Sequence, residues 1–129
     1  MVRRDLAVDN LSEQADAPSD AAESALAYDY DGWFETSWGC YAFATEMSAL
    51  ALATGAIAGR RVIDVGCGTG RFTTALEDRG DDAVGVDLDT AMLAVATIRV
   101  KSLLIVAYAH CLPLSSAAFD LTVTVTLCD

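Results

Sequence analysis

Apolar and polar positions change rhythm three times along this chain, and each change marks a boundary. Up to about Glu23 the residues are rich in Asp, Ala and Ser, with Pro18 among them and little apolar period. That pattern predicts an acidic, solvated and mobile tail over residues 1–24. From Ala25 onward aromatics crowd together as Tyr28, Tyr30, Trp33, Phe34, Trp38 and Tyr41, a density that calls for burial against another surface. Phe43, Met47 and Leu50 then recur at helical spacing ahead of Gly55, predicting a helix over residues 41–54 that packs on a sheet. Residues 25–55 are therefore expected to form an aromatic-rich helical lid.

Beyond Gly59 short β-branched runs alternate with helical patterns, as a parallel α/β unit requires. Strands are predicted at residues 61–65, 83–87, 103–109 and 119–127. In the last, Leu121, Val123, Val125 and Leu127 alternate with Thr122, Thr124 and Thr126. One helix is expected from near Gly70 to Gly80, with Phe72, Ala75 and Leu76 inward. A second runs over residues 91–100 behind an Asp89-Thr90 cap. The third and fourth strands are joined by residues 110–118, with no helix between them. At about 3.3 Å per residue this loop can cross three strand spacings of roughly 4.8 Å each. A Rossmann-like parallel sheet of order 3-2-1-4, occupying residues 56–129, is then the natural topology.

With 129 residues there is material for one small domain. Eight basic against 19 acidic residues give a net charge of −11, with Lys101 the single lysine. Such a surface disfavours nucleic acid and anionic membranes as partners. It also suits a protein kept soluble at high salt. Cys40, Cys67, Cys111 and Cys128 show no C-x-x-C spacing, so neither a metal centre nor a redox pair is expected, and reduced cysteines in the cytoplasm are. Arg3 and Arg4 are followed by Asp5, Asp9 and Glu13 rather than by an apolar signal-like run. The most apolar later stretch, residues 91–109, carries Arg99 and Lys101, which argues against a membrane span.

The chemistry concentrates where the first strand runs into Gly66, Gly68 and Gly70. Alternating glycines let the backbone turn tightly and approach a ligand without a Cβ in the way, and the following helix offers free N–H groups. The spacing is G-x-G-x-G, whereas a dinucleotide site uses G-x-G-x-x-G/A, and Arg71 stands where that pattern fails. Cys67 lies inside the turn, where a small side chain is wanted. Asp87 ends the second strand about twenty residues on, positioned to accept hydrogen bonds from ribose hydroxyls. Asp64 interrupts an apolar strand and needs a partner, either a ligand ammonium or backbone amides of the turn.

The runs V-I-D-V-G-C-G-T-G-R-F, V-G-V-D-L-D-T-A-M-L and L-P-L-S-S-A-A-F-D-L resemble, in order and spacing, the class I S-adenosylmethionine (SAM) methyltransferases of the ubiquinone/menaquinone-biosynthesis-like group. Tyr30-Asp31-Gly32-Trp33-Phe34-Glu35-Thr36 is similar to a segment that precedes the domain in some members. The resemblance spans the chain from about Tyr28 to its end. It implies SAM as cofactor and a small-molecule methyl acceptor. Asp64, Gly66, Gly68 and Gly70 would line the methionyl side, with Cys67 and Thr69 of the same turn also at the cofactor, Asp87 would hold the ribose and Leu88 would pack on adenine. Tyr30 and Trp33 would help close the site. Many relatives place an acidic residue where Tyr108 stands, so adenine recognition would fall to the neighbouring Ala109 and His110 or to stacking. No catalytic base is implied, because in-line transfer depends mostly on alignment.

Family members continue past the fourth strand with a helix and three more strands, so the C-terminal half of the sheet is expected to be missing and the chain to be a truncated form. An apolar fourth strand at the edge invites self-association. Rival readings are a non-catalytic SAM-binding or interaction fragment and, disfavoured by the glycine spacing, a nicotinamide-dependent oxidoreductase.

Overall fold

The computed structural model describes residues 19–55 and 58–125. Eight elements follow one another: α1 (Asp20–Trp33), α2 (Ser37–Thr54), β1 (Arg61–Val65), α3 (Arg71–Asp78), β2 (Asp82–Asp87), α4 (Thr90–Ala96), β3 (Leu104–Val106) and β4 (Leu121–Val123). The strands form one parallel sheet in the order β3-β2-β1-β4, as the loop-length argument predicts.

Register divides the sheet into two faces, because successive side chains alternate. Val62 pairs with Ala83 and Leu121, and together with Leu76 and Val123 these make one core, on which Leu50 of α2 also packs. Leu76 is fully buried, a contribution of about 1.5–3 kcal/mol. Ile63, Val65 and Val86 form the other core. It is covered by Leu112, Leu114 and Phe119 of the long loop between β3 and β4 rather than by a helix. Arg61 and Asp120 clip β1 to the start of β4, the Arg61 N–H donating to Asp120 Oδ2 at 2.8 Å.

Several sequence expectations need correction. The first helix begins at Asp20, capped by Ser19, so the last residues assigned to the tail are its opening turn. Residues 1–18 lie outside the described structure. The segment expected as a lid holds two helices, with α2 starting at Ser37 rather than Tyr41. At their corner Thr36 caps α2 by accepting from the Gly39 N–H at 3.0 Å. Gly39 is required there, since a Cβ would lie 2.0 Å from the Trp33 carbonyl.

The aromatics are not uniformly buried. Phe34 is inside, whereas Trp38 and Tyr41 are 76% and 65% exposed. Helix α3 buries Phe72, Thr73 and Leu76, with Ala75 only half-buried. The edge strands are shorter than predicted because their neighbours limit them: β3 has partners only along Gly85–Asp87, and β4 only along Val62–Asp64. Residues 126–129, the end of the predicted fourth strand, are outside the described residues. Helix α4 stops at Ala96 and continues as turns to Val100.

Candidate cofactor site

Past Val65 the chain leaves the sheet at its carboxyl edge, where open parallel sheets bind ligands. Gly66, Gly68 and Gly70 all adopt positive φ (78°, 53° and 79°), a conformation costly for other L-residues. The turn is pinned to β2, the Gly66 and Cys67 N–H groups both donating to the Val86 carbonyl. Gly85 leaves room for this fold-back: a Cβ there would sit 2.9 Å from Cys67 Sγ.

Asp87, at the end of β2, accepts from the Gly68 N–H through Oδ2 at 2.7 Å and from the Asp89 N–H through Oδ1 at 2.9 Å. The strand-end acid and the glycine turn are thus in direct contact. Asp89 in turn caps α4, accepting from Ala91 and Met92.

A cavity of about 320 Å³ opens beside the turn, lined by Gly66, Cys67, Gly68 and Thr69 on one side and by Tyr30, Trp33, Phe34 and Glu46 from the two lid helices. Arg71, Phe72 and Val125 complete it. A Cβ on Gly68 would meet the Tyr30 ring at 3.9 Å, an ordinary contact, so at this position the constraint is the positive φ rather than crowding. Gly70 does something else. A Cβ there would meet Val100 Cγ2 at 2.5 Å and Ala96 Cβ at 3.0 Å, so its bareness lets the turn pack on the end of α4.

Of the residues singled out from sequence, Tyr30, Trp33, Gly66, Cys67, Gly68 and Thr69 come together in the cavity. Leu88, Ala109 and His110 do not line it; they are exposed on the loops after β2 and β3, neighbouring strands of the same sheet edge. The His110 ring lies 5.3 Å from that of Tyr108.

Within the fold Asp64 finds a side-chain partner in place of the expected backbone amides. Helix α3 packs over this face of β1, so the nearest donor is a side chain: Thr73 Oγ1 donates to Asp64 Oδ2 at 2.7 Å, and both residues are buried. Burial pushes the Asp64 carboxyl up to about 6, the Thr73 hydrogen bond works against this and the Asp87 charge adds to it. Burial also raises the Cys67 thiol to about 12, helped by the charges of Asp64 and Asp87, so Cys67 remains a protonated, non-nucleophilic wall.

Sequence reasoning missed the charge cluster that holds the lid. Asp31 accepts from Arg71 Nε at 2.9 Å and from Arg99 Nη2 at 2.7 Å, while Arg71 also reaches Glu35 at 2.7 Å. Arg99 donates as well to the Thr69 carbonyl of the glycine turn. The Arg71 guanidinium lies over the Phe34 ring, 5.1 Å from its centre. Burial opposes ionisation of Asp31, but hydrogen bonds from the two arginines outweigh it and hold the carboxyl well below the usual range. The signal was present in the charges flanking the motifs, but nothing local pairs residues 68 positions apart. Glu46 was missed because α2 was read from its apolar face.

Comparisons with known proteins agree with this architecture. Residues 63–128, just over half of the chain, match the model of the family described as a methyltransferase domain. A ubiquinone biosynthesis O-methyltransferase of Acinetobacter baumannii is 40% identical over 47 residues, 36% of this chain and 20% of that protein. The chain thus spans about a fifth of the length of this curated relative. Among solved structures, an S-adenosylmethionine-dependent methyltransferase from Mesorhizobium loti is 30% identical with a TM-score of 0.55, over 61% of this chain and 38% of that one. A SAM-dependent methyltransferase from Thermotoga maritima, described as a possible histamine N-methyltransferase, is 26% identical with a TM-score of 0.65, over 80% of this chain and 45% of that one. With its glycine turn, its strand-end Asp87 and this match, the chain belongs to the methyltransferase-domain family and has the fold of the SAM-dependent methyltransferases.

Proposed function

We propose that this chain forms the cofactor-binding part of a SAM-dependent methyltransferase acting on a small-molecule acceptor. The observation that carries the reading is the 2.7 Å contact between the Gly68 N–H and Asp87, which supports a ribose-binding role for this strand-end acid beside a turn whose other side opens into the cavity under Tyr30 and Trp33. In this reading Gly66 to Thr69 face the methionyl portion, Asp87 accepts from ribose hydroxyls, and Leu88, Ala109 and His110 form the exposed rim where adenine lies. Bound SAM supplies an electrophilic methyl group on a sulfonium. The chain's own part is to orient, to exclude water with Tyr30, Trp33 and Phe34, and to offer the negative charge of Asp87 beside the glycine turn.

The named relatives include an O-methyltransferase and a possible N-methyltransferase, so they support the reaction class without choosing the acceptor atom. No helix among the described residues is long and apolar enough to cross a membrane. Free thiols at Cys40, Cys67 and Cys111 support a reducing compartment such as the cytoplasm. Strand β4 has β1 as its partner on one side, which supports pairing of two copies through the other, readable by sedimentation.

The test is calorimetric titration with SAM, S-adenosylhomocysteine and NAD, followed by transfer of labelled methyl to a panel of small acceptors. SAM binding with transfer supports the proposal. SAM binding without transfer to any acceptor supports the non-catalytic alternative, and binding of NAD alone overturns both.

A further inference from the structure

Helix α2 presents two opposite stripes, and the fold uses one of them. Gly39, Phe43, Glu46, Met47, Leu50 and Thr54 recur at helical spacing and are buried or half-buried against the rest of the chain. On the other side Trp38, Tyr41, Thr45, Ser48 and Leu52 alternate steps of three and four residues, the seam spacing of paired helices. All five are exposed, Trp38 by 76%, Tyr41 by 65% and Leu52 by 88%. None of them is charged, although the chain carries −11; Glu46, the one charged residue of α2, belongs to the inward stripe. The Trp38 and Tyr41 rings stand at 88° to each other and, with Ser37, wall a hollow of about 440 Å³. Leu52 projects as a knob from the same stripe about four turns further on, and Thr45 lies midway between Trp38 and Leu52.

We infer that this stripe is the contact surface for a second copy of the chain, the two α2 helices packing antiparallel about a two-fold axis at Thr45. Across such an axis residue i meets j and j meets i. An axis midway between hollow and knob therefore seats Leu52 of each copy in the Trp38–Tyr41 hollow of the other, and both contacts form at once. Antiparallel pairing also sets the bulky Tyr41 against the small Ser48 of the second copy, whereas parallel pairing would set Trp38 on Trp38. Charge selects the same occupant. A basic partner finds no acid on this stripe, while two acidic copies can meet along an uncharged seam without setting like charges in contact. The contact uses α2 and not the edge of β4.

Sedimentation velocity of the whole chain over about 1–500 µM is expected to show a reversible monomer–dimer equilibrium, the dimer fraction rising with concentration by mass action. Four rings and two leucines make a small contact, which places it among the weak interfaces. Thr45 is the position to vary, because it is exposed and its hydroxyl donates within its own helix, to the Tyr41 carbonyl at 2.8 Å. Thr45→Asp and Thr45→Lys each bring like charges together at the axis and are expected to weaken dimerisation at least about tenfold. Mixed in equal amounts, the two variants are expected to pair with each other to within about threefold of the wild-type affinity, because opposite charges then meet. Leu52→Ser removes the knob and is expected to weaken dimerisation by about fivefold or more. A wild-type chain that stays monomeric across the range overturns the inference, a result that needs no variant to fold. So does a folded Thr45→Asp chain that dimerises as tightly as wild type, which would assign the contact to another surface such as the edge of β4. A mixture that associates no more tightly than either variant alone overturns it as well.

Discussion

Asp31 and Arg99, 68 residues apart in sequence, meet at 2.7 Å and join helix α1 to the segment that follows α4. Because Arg99 also donates to the Thr69 carbonyl, one guanidinium connects the lid directly to the glycine turn. The Asp31 side chain is only 14% exposed, so the pair is little screened by water. Replacing Asp31 by Asn leaves two guanidiniums facing each other without their shared counter-charge. The expected cost is about 2–4 kcal/mol of stability, read from the urea midpoint, together with weaker SAM binding. Glu35→Gln is the contrast: Glu35 touches the same Arg71 but is 72% exposed, and the change is expected to cost less than about 1 kcal/mol.

Gly70 and Gly55 separate backbone strain from crowding. Gly70 is left-handed (φ 79°, ψ 17°), where alanine costs about 1–2 kcal/mol, whereas Gly55 (φ 73°, ψ 175°) lies in a region almost restricted to glycine, where it costs about 1–3 kcal/mol. At Gly55 nothing lies within 4 Å of the added Cβ, whereas at Gly70 it meets Val100 at 2.5 Å. Gly70→Ala is therefore expected to lose a further 1–3 kcal/mol or so from overpacking. A Gly70→Ala urea midpoint lowered by no more than the left-handed backbone cost alone would contradict the packing of the turn on α4.

Asp64 makes stability fall as pH rises through a mildly acidic window. Burial has raised its folded carboxyl from 3.8 to about 6, with Thr73 as its hydrogen-bond donor and Asp87 as the nearby negative charge. A raised folded pKa favours folding fully below the unfolded value, and that contribution is lost as pH climbs through about 6. The shift corresponds to something on the order of 2–3 kcal/mol. Asp31, held low, acts in the opposite direction but in more acidic solution. Asp64→Asn, which has no proton to lose, is expected to gain stability relative to wild type as pH rises from about 4 to about 6, measured by urea unfolding across and beyond that range. A pH-independent difference would show that Asp64 does not titrate there.

What the sequence revealed and what it hid divide by range. The glycine turn, β1, β2 and the Asp89 cap are local features, in which a few adjacent residues decide the backbone, and they occur where expected. Strand order followed from loop length and handedness. Edge-strand ends did not, because pairing stops where the neighbouring strand turns away, and alternation in residues 119–127 carries no record of that. The Asp31 cluster and the Asp64–Thr73 bond join residues that only the folded chain brings together. Aromatic crowding misled about burial, since α1 and α2 turn Phe34 inward and leave Trp38 and Tyr41 in water.

The central claim is that the turn at Gly66–Gly70, with Asp87 bonded to it, binds SAM. Calorimetric titration of wild type and Asp87→Ala tests it most directly. The account predicts saturable SAM binding by wild type, none of NAD, and a loss of more than about tenfold in SAM affinity on removing the acid, because ribose hydroxyls are left unpaired. Unchanged affinity in Asp87→Ala would contradict the ribose assignment, and a wild-type chain that ignores SAM would contradict the account as a whole.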